Sequence, residues 1–320
     1  MRVRLGYVAI ALNLPKTTSS SNVTYTLFKK LPSEKRQLEK LKTTTLNNLN
    51  NLYKILKYNV EQGIHFYRIT SALVPLATHP EVSNWDYRRI FKKDFERLGS
   101  FIKENKLRVD THPNEFNVLN SSKPTVVDNS IKNLQFHVKL FEDMNYPLGK
   151  MVLHVGSGEG GKALAIERFI SNFEKVPAEI GRRLMLENDD KTFTTAETLE
   201  LCKSLKLPMV LDVHHHNCNN NGENLEDLLG EILATWDKEQ LPPKMHFSSP
   251  KDGALDRKNS DFIAAEDFIS FIEICKAYNR DIDIMLEAKQ KDLALFKLME
   301  DLKGLRKDWN YTDSSTFELN

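Results

Sequence analysis

Short runs that are apolar almost throughout alternate along the chain with longer stretches in which apolar residues recur every three or four positions. The longer stretches predict amphipathic helices, with one face marked by Leu49, Leu52 and Leu56 and another by Leu134 and Val138. The short runs predict strands covered on both sides, as in a parallel sheet. They fall at residues 4–11, 66–70, 107–112, 151–156, 183–188, 208–214, 244–249 and 281–288.

Eight strand–helix pairs in a chain of this length predict a single (β/α)8 TIM barrel that spans residues 1–320. No long linker, charge block or repeat divides the chain. A doubly wound open sheet is the alternative arrangement of the same elements. In a barrel, functional side chains lie at the carboxyl ends of the strands and in the loops that follow. Polar residues at those positions are therefore the candidate functional residues.

The composition is that of an ordinary globular chain, with 40% hydrophobic and 28% charged residues. A net charge of +1 argues against a uniformly basic coat for nucleic acid but permits a local basic groove. The three cysteines, Cys202, Cys218 and Cys275, are odd in number and scattered. Neither a disulfide framework nor a zinc-finger spacing is predicted, and we expect reduced thiols.

The first residues of the chain have a charged start and then a short apolar stretch, as secretory signals do. No small-residue cleavage site follows, so we interpret this stretch as a buried first strand. No apolar run has the length needed to span a bilayer. We therefore expect a cytoplasmic protein with no membrane partner, and nothing in the sequence indicates an obligate protein partner.

The third to the eighth predicted strands each carry a His, Asp or Glu at the same end. These residues are His112, His154, Glu187, Asp212, His246 and Glu287. Burying three carboxylates together without compensation is very costly. Cations compensate for such charges, and imidazole with carboxylate suits Mn²⁺, Zn²⁺ or Fe²⁺ better than Ca²⁺. The pattern predicts a metal centre that holds more than one ion, with Lys244 pointing inward beneath it because Lys244 shares strand parity with His246.

Three consecutive histidines follow Asp212. Strand alternation places Asp212 and His214 on one face and His215 on the other. Spacing alone therefore favours His214 as the metal ligand, unless the strand ends and the chain turns at that point. His137 lies in the middle of a predicted helix, and we expect it to be structural or exposed.

Residues 156–163, Gly-Ser-Gly-Glu-Gly-Gly-Lys-Ala, follow a strand and precede a helix. They nearly match a phosphate-binding loop, and they contain a Gly-x-Gly-x-x-Gly pattern. Ala163 lacks the hydroxyl with which such a loop holds Mg²⁺, and the preceding strand already delivers His154 to the rim. We expect no nucleotide cofactor and interpret the segment as a flexible rim loop whose amides face a substrate phosphate.

Several motifs occur in a fixed order over nearly the whole chain, at residues 5–7, 67–68, 74–80, 112–116, 186–192, 212–215, 244–246, 248–251 and 287–292. Together they resemble the UV damage endonuclease family, which is related in architecture to endonuclease IV. The resemblance implies a (β/α)8 barrel with two or three divalent metal ions, usually manganese. It also implies an enzyme that cuts duplex DNA immediately 5′ to cyclobutane pyrimidine dimers and 6-4 photoproducts.

Carried onto this chain, the family's metal ligands are His112, His154, Glu187, Asp212, His215, His246 and Glu287. The family's spacing selects His215 rather than His214. Glu187, Asp212 and Lys244 are the expected catalytic residues. Several metals lower the pKa of water, orient it and stabilise the leaving oxygen. Hydrolysis of this kind leaves a 3′-hydroxyl and a 5′-phosphate.

Two positions depart from the family pattern. Asn259 stands where the family usually has a histidine, and an amide oxygen binds transition metals more weakly than imidazole does. Glu115 stands where the family has a glutamine after His-Pro, which adds a negative charge near DNA phosphates. The aromatic residue that follows, Phe116, is retained.

Recognition of damage without a defined sequence must depend on DNA shape, since a weakly stacked step costs less to kink and unstack. Tyr7 and Phe116 are expected on rim loops, where they act as wedges or simply pack against the rim. Arg68, Lys191 and Lys251 are candidate phosphate contacts.

Three other functions fit the same residues. A metal-dependent sugar isomerase or epimerase uses the same barrel and similar ligands. A damage-binding protein without catalytic activity would account for Asn259 and Glu115. An enzyme that cleaves at abasic sites, in the manner of endonuclease IV, is close to the leading interpretation.

Overall fold

The computed structural model describes residues 1–319, in which strands and helices alternate. The strands are β1 (Arg2–Val8), β2 (Phe66–Ile69), β3 (Arg108–Thr111), β4 (Lys150–His154), β5 (Leu184–Glu187), β6 (Met209–Asp212), β7 (Lys244–Phe247), β8 (Ile282–Leu286), β9 (Asn310–Tyr311) and β10 (Thr316–Glu318). The helices are α1 (Tyr25–Lys30), α2 (Glu34–Glu61), α3 (Tyr87–Ile90), α4 (Lys92–Glu104), α5 (Pro124–Asp143), α6 (Lys162–Phe173), α7 (Ala178–Gly181), α8 (Thr195–Leu205), α9 (Val213–Cys218), α10 (Leu225–Ala234), α11 (Ala265–Lys276) and α12 (Lys291–Leu305).

The first eight strands pair in parallel with their neighbours in sequence order, and β1 pairs with both β8 and β2. This closes the sheet and confirms the predicted (β/α)8 barrel; the open-sheet alternative is wrong. Closure brings β1 very close to β2. A Cβ at Gly6 would lie 2.5 Å from the carbonyl oxygen of Phe66, so only glycine fits there.

The predicted strands are correct in number and order, and their ends differ by a few residues. The largest consequence is at β6, which ends at Asp212 instead of continuing to His214. The side chain of Asp212 accepts a hydrogen bond from the backbone N–H of His215 (2.8 Å) and so caps α9. An aspartate in this position starts a helix, and the strand alternation stops there.

The C-terminal ribbon of β9 and β10 was not predicted. β10 pairs antiparallel with Arg2–Arg4 at the start of β1, whereas β2 pairs with the end of β1. Both strands are too short to show an alternation of their own. Trp309, just before β9, stacks on Phe317 at 4.7 Å between ring centroids, and Phe317 also packs edge-on against Phe268 of α11 at 6.4 Å, which holds the ribbon against the barrel.

The longest helix, α2, begins at its cap Ser33, whose side chain accepts a hydrogen bond from the backbone N–H of Arg36. Its predicted apolar face is correct, because Leu49, Leu52 and Leu56 are all fully buried. Among residues 1–319, no helix combines the length and the apolar character that crossing a membrane requires.

Strand alternation divides the interior into two parts. Side chains that point outward from the strands form the large apolar core beneath the helices. The inward strand side chains Val152, Met185 and Val210 form a small separate apolar cluster with Trp236, which lies on the loop after α10. Many other side chains in the barrel interior are charged. At its lower end, Asp283 pairs with Arg4 and Arg108 (2.5 and 2.6 Å), because a buried charge is tolerated only when it is paired.

His137 lies in α5, is 1% exposed and packs edge-on against Phe136. Neither ring nitrogen has a hydrogen-bond partner within residues 1–319. Burial, with a smaller contribution from His112, lowers the pKa of His137 from 6.5 to about 3. Below pH 6.5 the unfolded chain therefore binds a proton that the folded chain binds only near pH 3, and the free energy of unfolding falls as pH falls.

We expect the His137→Leu variant to lose less stability in acid than the wild type. Between pH 7.5 and 5.0 the wild type should lose roughly 2 kcal/mol more of its free energy of unfolding than the variant. Urea unfolding of both proteins at the two pH values measures this difference. Groups elsewhere titrate in both proteins and cancel. Equal losses in the two proteins would contradict the analysis.

Candidate metal centre

The candidate metal ligands all lie at the carboxyl end of the barrel. His154, Glu187 and Asp212 are the last residues of β4, β5 and β6, whereas His246 lies within β7. His112 and Glu287 directly follow β3 and β8. His215 is added by α9, whose cap is Asp212. Residues that are far apart in sequence therefore meet at one rim.

The cluster contains three groups of three side chains. Within each group, the potential ligand atoms all lie within 4.8 Å of one another. The groups are His112–His154–Glu187, Glu187–Asp212–His215 and Glu187–His246–Glu287. Glu187 belongs to all three. A single carboxylate thus connects three candidate ion positions, which is the arrangement expected of a bridging ligand in a multinuclear centre.

The carboxylate of Glu187 is 1% exposed and lies between the imidazoles. Its Oε2 is 3.0 Å from Nε2 of His112 and 3.5 Å from Nε2 of His154, and its Oε1 is 2.6 Å from Nδ1 of His246. Burial by itself raises the pKa of Glu187. The neighbouring imidazoles of His246, His154 and His112 outweigh it, and they hold that pKa well below its ordinary value. The carboxylate of Glu187 is therefore ionised at neutral pH.

Backbone carbonyls orient two of the imidazoles. Nδ1 of His112 donates to the carbonyl of Pro113 (2.9 Å), and Nδ1 of His215 donates to the carbonyl of Asn188 (2.9 Å). Nε2 of His112 is left pointing at the carboxylate of Glu187, 3.0 Å from its Oε2. Fixing the tautomer of a histidine ligand in this way is typical of protein metal sites.

Asp212 is the second buried carboxylate. Its Oδ1 caps α9, whereas its buried Oδ2 has no hydrogen-bond partner within residues 1–319. Burial and the charges of Glu187 and Glu287 raise the pKa of Asp212 to about 6, against the opposing effect of His215. Burial lowers the pKa of His215, but Asp212 and Glu187 raise it more, to about 9. The carboxylates attract positive charge, and the unpaired Oδ2 is free to bind it.

Arg68 occupies a different place from the one predicted. It is buried at 7% exposure, with Nη1 2.6 Å from Oε1 of Glu287 and Nη2 donating to Nε2 of His246 (2.6 Å). The prediction that Arg68 contacts DNA phosphates is wrong, because its guanidinium is committed inside the barrel. Arg68 instead orients one imidazole and one carboxylate of the candidate centre. Because of burial, the pKa of His246 falls to about 4.

Lys244 points into the barrel beneath His246, as strand parity indicated. It is fully buried, and its Nζ lies 2.5 Å from Oδ2 of Asp110. Burial lowers the pKa of Lys244 to about 8, with Asp110 opposing the shift and Arg68 adding to it. Asp110 and the orienting role of Arg68 were missed from the sequence. Strand alternation places the side chain of Asp110 on the same inward face of β3 as that of His112, two residues later, so the sequence contained a signal for Asp110.

The structure places His215 rather than His214 in a candidate metal group. His214 is held by protein atoms, with Nδ1 2.7 Å from Oγ of Ser248 and Nε2 donating to the carbonyl of Asp256 (2.8 Å). Asn259 lies alongside it, accepts a hydrogen bond from Ser248 and donates to the carbonyl of Glu287. The amide of Asn259 therefore supports the loop next to the centre.

Of the other residues that the sequence predicted to contact DNA, one is buried and the rest are exposed. Tyr7 lies within β1, is fully buried and donates a hydrogen bond to Oδ1 of Asn59 (2.6 Å), so the prediction of a wedge on a rim loop is wrong for it. Phe116 lies on the loop after β3 and is 77% exposed. Glu115, Lys191 and Lys251 are also exposed on rim loops. Exposed apolar, acidic and basic groups therefore lie on the same face of the barrel as the candidate metal groups.

The glycine-rich loop before α6 is held by side chains. Asn120 bonds both the N–H and the carbonyl of Ser157 (2.9 and 2.7 Å), and a Cβ at Gly156 would collide with it. Lys162 pairs with Glu197 at 2.8 Å. The lysine that a nucleotide-binding loop would need is thus committed to a carboxylate.

The cluster is chemically suited to divalent cations. Four imidazoles and three carboxylates converge, and a buried oxygen of Asp212 has no hydrogen-bond partner within residues 1–319. Such a donor set is typical of Mn²⁺, Zn²⁺ or Fe²⁺. The three groups are therefore able to hold metal ions.

Comparison with known proteins agrees with this geometry. The chain matches the family model UV-endonuclease UvdE over residues 3–316. It belongs to this family. The UV DNA damage endonuclease of Bacillus cereus (strain B4264) is 41% identical over 307 residues, with 96% of each chain covered. Membership confirms the resemblance of the motifs and makes the chain a DNA repair endonuclease.

Two solved structures place the fold. The crystal structure of SacUVDE is 35% identical, with a TM-score of 0.82 over 95% of this chain and 99% of that one. Endonuclease IV from Thermus thermophilus is 15% identical, with a TM-score of 0.52 over 79% of this chain and 94% of that one. The second likeness shows that the two share the barrel fold.

We expect Mn²⁺ to stabilise the wild type and to stabilise the Glu187→Gln variant much less, because that substitution removes a ligand from all three groups at once. At an Mn²⁺ concentration about 100-fold above the dissociation constant, the wild type should gain about 2.7 kcal/mol of unfolding free energy. The variant should gain less than about 1 kcal/mol at the same concentration. Thermal unfolding with and without Mn²⁺ measures the gain.

The matched control for this experiment is Glu300→Gln, which removes an exposed carboxylate on α12. It should gain as much stability from Mn²⁺ as the wild type does. If Mn²⁺ stabilises all three proteins equally, or none of them, the cluster around Glu187 is not the metal site.

Proposed function

We propose that this DNA repair endonuclease nicks duplex DNA immediately 5′ to cyclobutane pyrimidine dimers and 6-4 photoproducts, with two or three divalent ions, normally Mn²⁺, as cofactors. The observation that carries the proposal is the set of three ligand groups that share Glu187, in a chain of the UV-endonuclease UvdE family. Nicking by hydrolysis leaves a 3′-hydroxyl and a 5′-phosphate.

The roles of the ligands follow from their positions. His112, His154, Asp212, His215, His246 and Glu287 surround Glu187 and would hold the ions together with it. Divalent ions in such a site supply Lewis acidity, which lowers the pKa of water and offsets negative charge on the phosphate. Glu187, which belongs to all three groups, would be shared between neighbouring ions. Lys244 supports the centre from below, and burial lowers its pKa to about 8.

DNA recognition is assigned to the exposed rim residues. Phe116 is the candidate wedge, since an apolar ring that is 77% exposed gains most when it stacks on an unstacked base. Lys191 and Lys251 are candidate phosphate contacts. A damaged step is cheaper to unstack than a normal one, which gives selectivity without a sequence preference.

We expect the wild type with Mn²⁺ to nick a duplex that contains one defined pyrimidine dimer, at the bond on the 5′ side of the lesion. A chelator should abolish nicking, and Glu187→Gln should lower its rate on the order of 10³-fold. Denaturing electrophoresis of end-labelled strands maps the nick, and enzymatic end-labelling identifies the termini.

The controls distinguish the alternative functions. Glu300→Gln should nick at the wild-type rate. Damage-specific binding without nicking in any divalent metal would indicate a damage-binding protein, and preferential cleavage of an abasic duplex would indicate the endonuclease IV type of activity. Turnover of small sugars together with indifference to DNA would indicate an isomerase or epimerase. Each of these results would overturn the proposal.

Neighbouring substitutions on the loop after β3 should act in opposite directions on DNA affinity. Phe116→Ala removes a stacking ring and should weaken binding of the lesion duplex about tenfold. Glu115→Gln removes a negative charge and should strengthen binding about two- to fivefold at low salt, with a smaller effect at high salt. Fluorescence anisotropy at two salt concentrations measures both effects. If both variants bind as the wild type does, this loop does not contact DNA.

A further inference from the structure

The two most exposed large apolar side chains among residues 1–319 are Phe116 (77%) and Leu255 (73%). Phe116 follows β3, and Leu255 lies on the loop between β7 and α11. In the closed barrel, three strands separate β3 from β7 in either direction. The two side chains therefore lie on opposite sides of the same rim, with the candidate metal centre between them.

The loop that carries Leu255 is a short hairpin. Pro250 and Asn259 form an antiparallel bridge, and the N–H of Lys251 donates to the carbonyl of Lys258 (2.9 Å). At the tip, the N–H of Asp256 donates to the carbonyl of Gly253 (2.9 Å). Gly253 has a φ of +135°, a value that L side chains rarely adopt. The backbone is thus arranged to turn sharply and to present residue 255.

The hairpin is anchored next to the candidate metal centre from two sides. His214 donates to the carbonyl of Asp256 at 2.8 Å, and the next residue, His215, belongs to a candidate metal group. Arg257 pairs with Asp190 at 2.6 Å. A side chain on such a supported turn is held in one place before it meets a partner, so little conformational entropy is lost on contact.

The charges around Leu255 suit a polyanion. Lys251 and Lys258 are both exposed on the two arms of the hairpin; the exposed carboxylate of Asp252 lies 3.8 Å from Nζ of Lys251, whereas Lys258 has no such carboxylate partner within residues 1–319. Asp256 is occupied by the turn itself, because its carboxylate accepts hydrogen bonds from the N–H groups of Lys258 and Asp252. An apolar tip between cationic arms matches the chemistry of DNA, with apolar base faces between rows of phosphates.

We propose that Leu255 is a second apolar probe of damaged duplex DNA, which contacts the weakened base step from the side opposite to Phe116. This inference rests on the proposed function. With one apolar group on each side of the centre, the scissile phosphate is brought over the metal ions only when the step between the two probes has lost its stacking. Leu255 is then a specificity-determining residue.

The test compares Leu255→Ala with Leu255→Met and with Leu305→Ala, which truncates a leucine that is 52% exposed at the far end of α12. Anisotropy with metal chelated gives the affinity for a dimer-containing duplex and for its undamaged twin. Nicking with Mn²⁺ gives kcat and KM. A 2-aminopurine opposite the lesion reports unstacking by its fluorescence.

We expect Leu255→Ala to bind the dimer-containing duplex about tenfold more weakly and the undamaged duplex unchanged. The 2-aminopurine signal should fall, while the slope of log affinity against log salt stays at the wild-type value because no phosphate contact is lost. Leu255→Met should remain within about twofold of the wild type, and Leu305→Ala should match the wild type.

Other results overturn the inference. Wild-type affinity and fluorescence in Leu255→Ala, in a protein that nicks damaged DNA normally, would show that Leu255 is not a probe and would leave the proposed function intact. An equal loss on both duplexes, or in Leu305→Ala as well, would exclude a lesion-specific role. If the wild type neither binds nor nicks the damaged duplex, the proposed function itself fails.

Discussion

The carboxylate of Glu187 is the constraint on which the site depends. It is buried, ionised and common to all three candidate metal groups, so β4, β5, β6, β7 and the loops after β3 and β8 must all deliver their donors to one point. A charge in that position is costly unless imidazoles or cations surround it. The barrel meets this requirement geometrically, because parallel strands end together at one rim and closure directs their last inward side chains to a common axis.

The charged side chains in the barrel interior beneath Glu187 help to position the residues of the candidate metal centre. Arg68 pairs with Glu287, Lys244 pairs with Asp110, and Asp283 pairs with two arginines at the lower end. A purely apolar barrel interior would be at least as favourable for stability, since buried ion pairs seldom contribute more than hydrophobic replacements do. Their value here is orientation: hydrogen bonds from Arg68 fix both an imidazole and a carboxylate of the centre. Stability comes instead from the apolar core between the strands and the helices.

The rim combines rigidity with exposure. The loops that face solvent carry apolar and charged side chains, yet their backbones are tied down by Asn120, His214 and Arg257. Because the backbone of these loops is already fixed, exposed leucine and phenylalanine side chains on them lose little conformational entropy when they contact a partner. Exposed basic groups therefore lie on the loops around a centre of buried carboxylates, where a phosphate would be repelled unless cations offset their charge.

The sequence by itself determined the eight strands, their order and the polar residue at the end of the third to the eighth, because period-two alternation and apolar runs are local properties that any sheet must satisfy. It also placed Lys244 inward from its parity with His246. It did not determine where β6 ends, and strand alternation therefore favoured His214 as the ligand. In the structure β6 ends at Asp212, which caps α9, and His215 is the histidine that joins the candidate metal group. Tyr7 and Arg68 were likewise expected at the DNA surface and are buried. Only the tertiary structure decided these points, since contacts such as that of Arg68 with His246, 178 residues apart, exist only once the barrel has closed.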